Sequence, residues 1–210
     1  MTPEAPPATG ADADLPARFT EIVLSNDVNR VVLERGTQLG VPDWWLTAGA
    51  LFQTVWNTLT GRPPGEGIRD YDLFYFDPTD TSYEAEDAVV RRAADLFADT
   101  GAVVEVRNEA RVHLWYEQKF GVPTAPFTST RDAIDHFAAT TSCQALTRDA
   151  DSALHAYAPH GYDDLFALRL RPNPVLAPRE VYEAKAARWA QQWPDLHVEP
   201  WPDAVSRPAR

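Results

Sequence analysis

Ile68-Arg69-Asp70-Tyr71-Asp72-Leu73-Phe74-Tyr75-Phe76-Asp77 is the stretch from which the fold can be read. Aromatic and branched residues make 68–76 a strand, and in a strand side chains two apart project from one face. Asp70, Asp72, Phe74 and Phe76 therefore share a face, opposite Tyr71, Leu73 and Tyr75. Two carboxylates aimed at one spot raise each other's pKa unless a cation lies between them, so the pair points to a divalent metal site or a shared proton. Both faces turn apolar after Asp72, as in an interior strand covered on two sides. Asp77, before Pro78, ends the strand.

Upstream, residues 44–48 read as a short strand that turns at Gly49 into a helix over 51–60, closed by Gly61. A strand, a glycine turn and a helix gather backbone N–H groups and the positive end of a helix dipole, a place that suits a phosphate at Gly49 and Ala50. Tight-turn packing is the other reading of Gly49. Residues 61–67, rich in Gly and Pro, form a loop that carries Arg62 towards the Asp strand. Arg69 lies at the strand's head.

Downstream, Thr81-Ser82-Tyr83-Glu84 has capping-box spacing. The helix it opens presents Ala85, Ala88, Val89, Ala93, Leu96 and Phe97 as one stripe. After Gly101, residues 102–107 alternate, with Val103, Glu105 and Arg107 on one face. A mid-strand carboxylate is costly if buried alone, so Glu105 calls for a metal or for Arg107 as partner. Residues 108–115 read as a further strand or a turn, with His113 as a hydrogen-bonded structural histidine.

Residues 18–39 predict two helices, with Asp27 capping the second and Gly40 closing it. A short helix is expected over 131–139, a strand hairpin from 140–147 and 154–158 with Cys143 filling space, and a helical turn over 161–168. An extended segment follows at 169–174, and then a final helix with Pro178 near its first turn. No internal repeat or shift in composition divides the chain.

At 210 residues, with 44% hydrophobic side chains, the chain can build one domain around a sizeable core. The expected organisation is a disordered leader at 1–17, a domain at 18–202 and a mobile tail at 203–210. The formal net charge of −12 repels phosphate backbones, which argues against general nucleic-acid binding and against anionic membranes. The single cysteine rules out an intramolecular disulfide and a cysteine zinc cluster, which agrees with a cytoplasmic setting. No stretch has the length of about 20 apolar residues that a membrane helix needs.

The order of features, a strand–Gly–helix at Gly49, Asp70 and Asp72 at a strand head and a strand carrying Glu105, resembles the nucleotidyltransferase superfamily of the DNA polymerase beta type. Four stretches look more closely like a bacterial nucleotidyltransferase-like subfamily: residues 45–57, 69–77, 108–115 and Arg171-Pro172-Asn173-Pro174. The likeness covers residues 17–201. It implies a single-domain α+β (mixed α/β) fold, a mixed sheet flanked by helices. It also implies transfer of an NMP group from an NTP to an acceptor with the help of magnesium or manganese.

Carried over by position, Asp70, Asp72 and Glu105 match the metal-binding and catalytic carboxylates. Gly49, with Ala50 after it, matches the turn that holds the triphosphate, and Arg62 and Arg69 stand where phosphates would lie. Ala50 departs from the Ser or Gly common at its position and brings no hydroxyl. The interval from Gly49 to Asp70 is long, as in antibiotic nucleotidyltransferases. The acceptor, a small molecule, a protein or a specific RNA, is left open. The alternative is a catalytically weak or inactive nucleotide-binding or regulatory module of the same fold.

Overall fold

Strand pairing places the two-acid stretch inside a five-stranded sheet of order β3-β2-β1-β4-β5 in a computed structural model that describes residues 14–202. The strands are β1 (Trp45–Thr47), β2 (Tyr71–Tyr75), β3 (Val104–Asn108), β4 (Ala145–Arg148) and β5 (Leu154–Tyr157). β2 and β3 run parallel and the other neighbours antiparallel, so the sheet is mixed. A parallel pair needs a crossover. Here it is α4 (Tyr83–Leu96), while α3 (Gly49–Leu59) follows β1 directly.

Two N-terminal helices, α1 (Leu15–Leu24) and α2 (Asp27–Arg35), pack on the same face of the sheet. α1 starts inside the stretch expected to be a leader; residues 1–13 of that stretch and the tail from 203 lie outside the described residues. Asn26, not Asp27, caps α2, its side chain accepting from the Val28 and Asn29 amides. Asn26 is the better choice because its Nδ2 also reaches Thr54 Oγ1 at 3.0 Å and Tyr71 OH at 3.3 Å, tying α2 to α3 and β2. Asn29 Nδ2 donates to the Ala50 carbonyl at 3.0 Å, which pins the first turn of α3.

Ser82 caps α4, accepting from the Ala85 amide at 3.2 Å. The buried stripe of this helix is narrower than its sequence suggests: Val89, Ala93 and Phe97 are inside, Ala88 is exposed, and Glu86 is buried instead. Glu86 tolerates burial because it accepts from the Asn108 amide and forms an ion pair with Arg111.

Three short helices, α5 (Tyr116–Phe120), α6 (Thr130–Asp135) and α7 (Asp163–Phe166), precede a longer α8 (Arg179–Gln192). α8 joins the parallel strands β6 (Arg169–Leu170) and β7 (His197–Val198). It docks through an aromatic cluster, with Phe52 and Trp189 rings 4.8 Å apart and Trp56 and Trp193 rings 5.3 Å apart in edge-on geometry. β4 and β5 form the expected hairpin, and Cys143 is buried beside them.

The two faces of the sheet differ. Leu46, Tyr71, Leu73, Val106 and Leu146 face the main core under the helices. The face carrying Asp72 and Phe74 is not sealed, contrary to the pattern of a strand covered on both sides. Two smaller clusters, one around Trp45 and Ile134 and one around Val112 and Phe127, cover its flanks and leave a cleft between them. Asp43 fastens α6 over this face by accepting from the Thr130 amide at 2.7 Å.

Candidate functional site

Beside the cleft's acids, where Thr47 at the end of β1 pairs with Asp72, β1 gives way to α3. Ala48 joins them with φ 55° and ψ −131°, a conformation that ordinarily needs glycine. This sharp joint turns the chain so that α3 starts at the end of the sheet's central strand. The Gly49 and Ala50 N–H groups belong to the first turn, which has no intrahelical acceptors, and no side chain caps it. A Cβ on Gly49 would stand 2.5 Å from Gln53 Nε2, so that amide lies folded over the glycine.

Register fixes the acids. Thr47 pairs with Asp72 across β1 and β2, and Asp72 pairs with Glu105 across β2 and β3. Partners on adjacent strands project the same way, so Asp72 and Glu105 face the cleft together. Asp70 lies just before β2 and opens on a neighbouring recess of about 60 Å³ with Gln53, Arg69, Arg188 and Gln192. Arg62 lines neither hollow and stands 3.8 Å from Glu66.

Burial, followed by the charges of Asp70 and Glu105, pushes the Asp72 carboxyl up to about 7, with Lys185 and Arg107 pulling the other way. Its surroundings hold more negative charge than the two cations offset. Glu105 is half-exposed and lies 3.7 Å from Arg107, a loose pair. Among the described residues no three His, Cys, Asp or Glu side chains are gathered tightly enough to hold a metal ion. The donors are nevertheless all carboxylate oxygens, the ligands a hard divalent cation prefers, and such a cation would supply the charge that Asp72 lacks. The acids thus fit magnesium by chemistry without being drawn to a single point.

Several residues of the site are invisible to a reading of sequence alone. Lys185 and Arg188 on α8 line the cleft and the recess respectively. Neither is assigned a role from the sequence, yet Lys185, Arg188 and Gln192 repeat at helical spacing on one face. Loss of hydration against the cleft wall pushes the Lys185 ammonium down, against the upward pull of Asp72. The side chain is reached by solvent and enclosed by protein on the other side.

Glu109 is the other addition. It is 5% exposed, lines the cleft, and its carboxyl is pushed up to about 8 by burial, with Asp72 adding to the shift. It sits in a 3-10 turn, Glu109–Leu114, where a further strand or simple turn was expected. Beyond it the cleft, about 270 Å³ in volume, is walled by Trp115, Tyr116, Phe120, Phe127 and Phe137. Arg111 is spent on Glu86 and the Thr81 carbonyl. His113 has a buried Nδ1 with no hydrogen-bond partner among the described residues, which departs from the hydrogen-bonded histidine expected.

Comparison with known proteins bears on the family and the fold. A family model described as nucleotidyltransferase matches residues 34–198. A solved structure described as revealing a CCA-adding enzyme head domain superposes with a TM-score of 0.72 at 24% identity, covering 88% of this chain and 96% of the other. A search of curated proteins finds no match.

Proposed function

Because the chain belongs to the nucleotidyltransferase family, we propose that it moves an NMP group from an NTP to an acceptor in the cleft between α3, β2, β3 and α8. The observation that carries this reading is the placement of Asp72 beside Glu105, next to the uncapped first turn of α3. Asp70, Asp72 and Glu105 would hold magnesium or manganese. Bound there, the ion would neutralise the triphosphate and lower the pKa of an acceptor hydroxyl.

The chain's own groups supply the rest. The Gly49 and Ala50 amides and the α3 dipole hold a phosphate, and Arg69, Arg188 and Gln53 offer donors to its neighbours. The acceptor oxygen bonds to the α-phosphorus, the bond to the β-phosphate oxygen breaks and pyrophosphate leaves. Glu105, held only loosely by Arg107, receives the acceptor's proton. The acidic surface favours a small molecule or a protein group over bulk nucleic acid, although a particular RNA end is compatible.

Isothermal titration with each NTP, with and without magnesium, tests the site. Binding should require the ion and weaken at least tenfold in Asp72→Asn and in Glu105→Gln. Unchanged affinity in folded variants would overturn the assignment. A second reading, a module that binds nucleotide without turnover, draws on Ala50 and on acids not drawn to one point. Tight binding with no labelled product from any labelled NTP in a cell extract would favour it.

A further inference from the structure

The phosphate end of the site is polar, but the cleft continues from Asp72 into an aromatic chamber that nucleotidyl transfer as such does not call for. At its inner wall lies Glu109, nearly enclosed, with no hydrogen bond or ion pair among the described residues. A buried carboxyl without a partner is expensive and marks a place where a ligand group belongs. Asp72 and Glu105 line the same space, where Arg107, Lys119 and Lys185 also stand, and Glu109 forms an ion pair with none of these cations among the described residues.

The walls point to the kind of ligand. Lys119 Nζ lies 5.3 Å from the Trp115 ring centre and 5.2 Å from that of Phe120. The protein's own ammonium therefore rests on the chamber's aromatic faces, where a ring quadrupole attracts cations. Lys119 is exposed and leaves Glu109 unpaired. About 270 Å³ is slightly below the range of roughly 300–1,000 Å³ that takes drug-sized ligands. A compact molecule fits, and a nucleic-acid segment does not.

We propose that this chamber binds the acceptor, and that the acceptor is a small organic amine whose protonated nitrogen meets Glu109 while its body lies against Trp115 and Phe120. Such a ligand gives Glu109 its missing partner and leaves the acceptor's other end towards Asp72 and Glu105. Its role as acceptor rests on the nucleotidyl-transfer reading, whereas its chemistry rests on the chamber alone.

Chemical-shift titration of the full chain tests it with 2-phenylethylamine, the neutral 2-phenylethanol and adenosine as probes. The amine should give saturable shifts at Glu109, Trp115 and Phe120, and the alcohol should bind at least tenfold more weakly. Glu109→Gln should weaken the amine at least tenfold. Lys119→Met, at an exposed position, should tighten it severalfold by vacating the aromatic faces, a change no structural role predicts and one that keeps the test open if Glu109→Gln does not fold. Equal binding of amine and alcohol would overturn the inference, as would adenosine shifting these residues while the amine does not. Magnesium–ATP binding is measured separately: its presence without amine binding refutes this inference alone, and amine binding without it refutes the nucleotide reading alone.

Discussion

Asp72 and Glu105 occupy one rung of the sheet, directly paired across the parallel strands β2 and β3. Burial, with the charges of Asp70 and Glu105 added to it, pushes the Asp72 carboxyl up to about 7, so a cation that binds there must displace a proton. With a carboxyl that titrates at about 7, the deprotonated fraction rises about tenfold from pH 6 to pH 8. Magnesium affinity should rise by a similar factor over that interval and become nearly flat in Asp72→Asn. Titrations in buffers of differing ionisation heat should show the released proton in the wild type alone.

Glu109 should make the protein less stable in base. Its folded-state pKa, about 8, is raised above the ordinary 4.5, so its favourable contribution is complete below about pH 4.5 and is lost as pH rises through 8. Glu109→Gln removes the charge that causes the loss. The variant should match the wild type near pH 4 and exceed it by about 2–4 kcal/mol at pH 9, read by urea unfolding at the two pH values.

Ala48→Gly relieves a backbone conformation that costs on the order of 1–3 kcal/mol in a residue with a Cβ. Part of that gain is offset by the greater freedom of an unfolded glycine, about 0.4–1 kcal/mol. The expected net effect is a stabilisation of about 1 kcal/mol, visible as a rise in Tm of roughly 2–4 °C. A fall in Tm would mean that the joint is not strained.

Trp189→Ala should act on the site from a distance. The Trp189 ring lies 4.8 Å from Phe52 and 6.2 Å from Trp56, and its loss should cost about 3–5 kcal/mol. α8 then loosens and takes Lys185 and Arg188 with it. Triphosphate affinity should fall at temperatures where circular dichroism still reports a folded chain.

The parts that were legible in the sequence are those with a local period. Alternation located β2 and β3, Gly61 and Gly101 mark helix ends, and the acids of residues 70–72 and Glu105 stood out as polar breaks in apolar runs. The signals that failed are non-local. Asn26 outcompetes Asp27 as a cap because Thr54 and Tyr71, far along the chain, give its amide partners. Glu86 becomes a core residue only because Arg111 and the Asn108 amide await it. Glu109 lies in a 3-10 turn too short for any period, and Lys185 looks like a solvent-facing helix residue until α8 is set against the sheet. The open face beside β2 depends on which segments cover it, and no single strand's pattern encodes that.

The aromatic docking of α8 has a further consequence for how the site comes into being. Its acids come from residues 70–109 with Arg69 and Arg107 beside them, and the further cations Lys185 and Arg188 come from α8, so the full set of charges meets only through long-range closure of the chain. On the ribosome the sheet's acidic rung can form while α8 is still in the exit tunnel, and until that helix emerges and packs, Arg69 and Arg107 offset the repulsion among the acids without the help of Lys185 and Arg188. The Trp and Phe rings between α3 and α8 thus act as the latch that sets when the newborn chain becomes competent to hold a triphosphate.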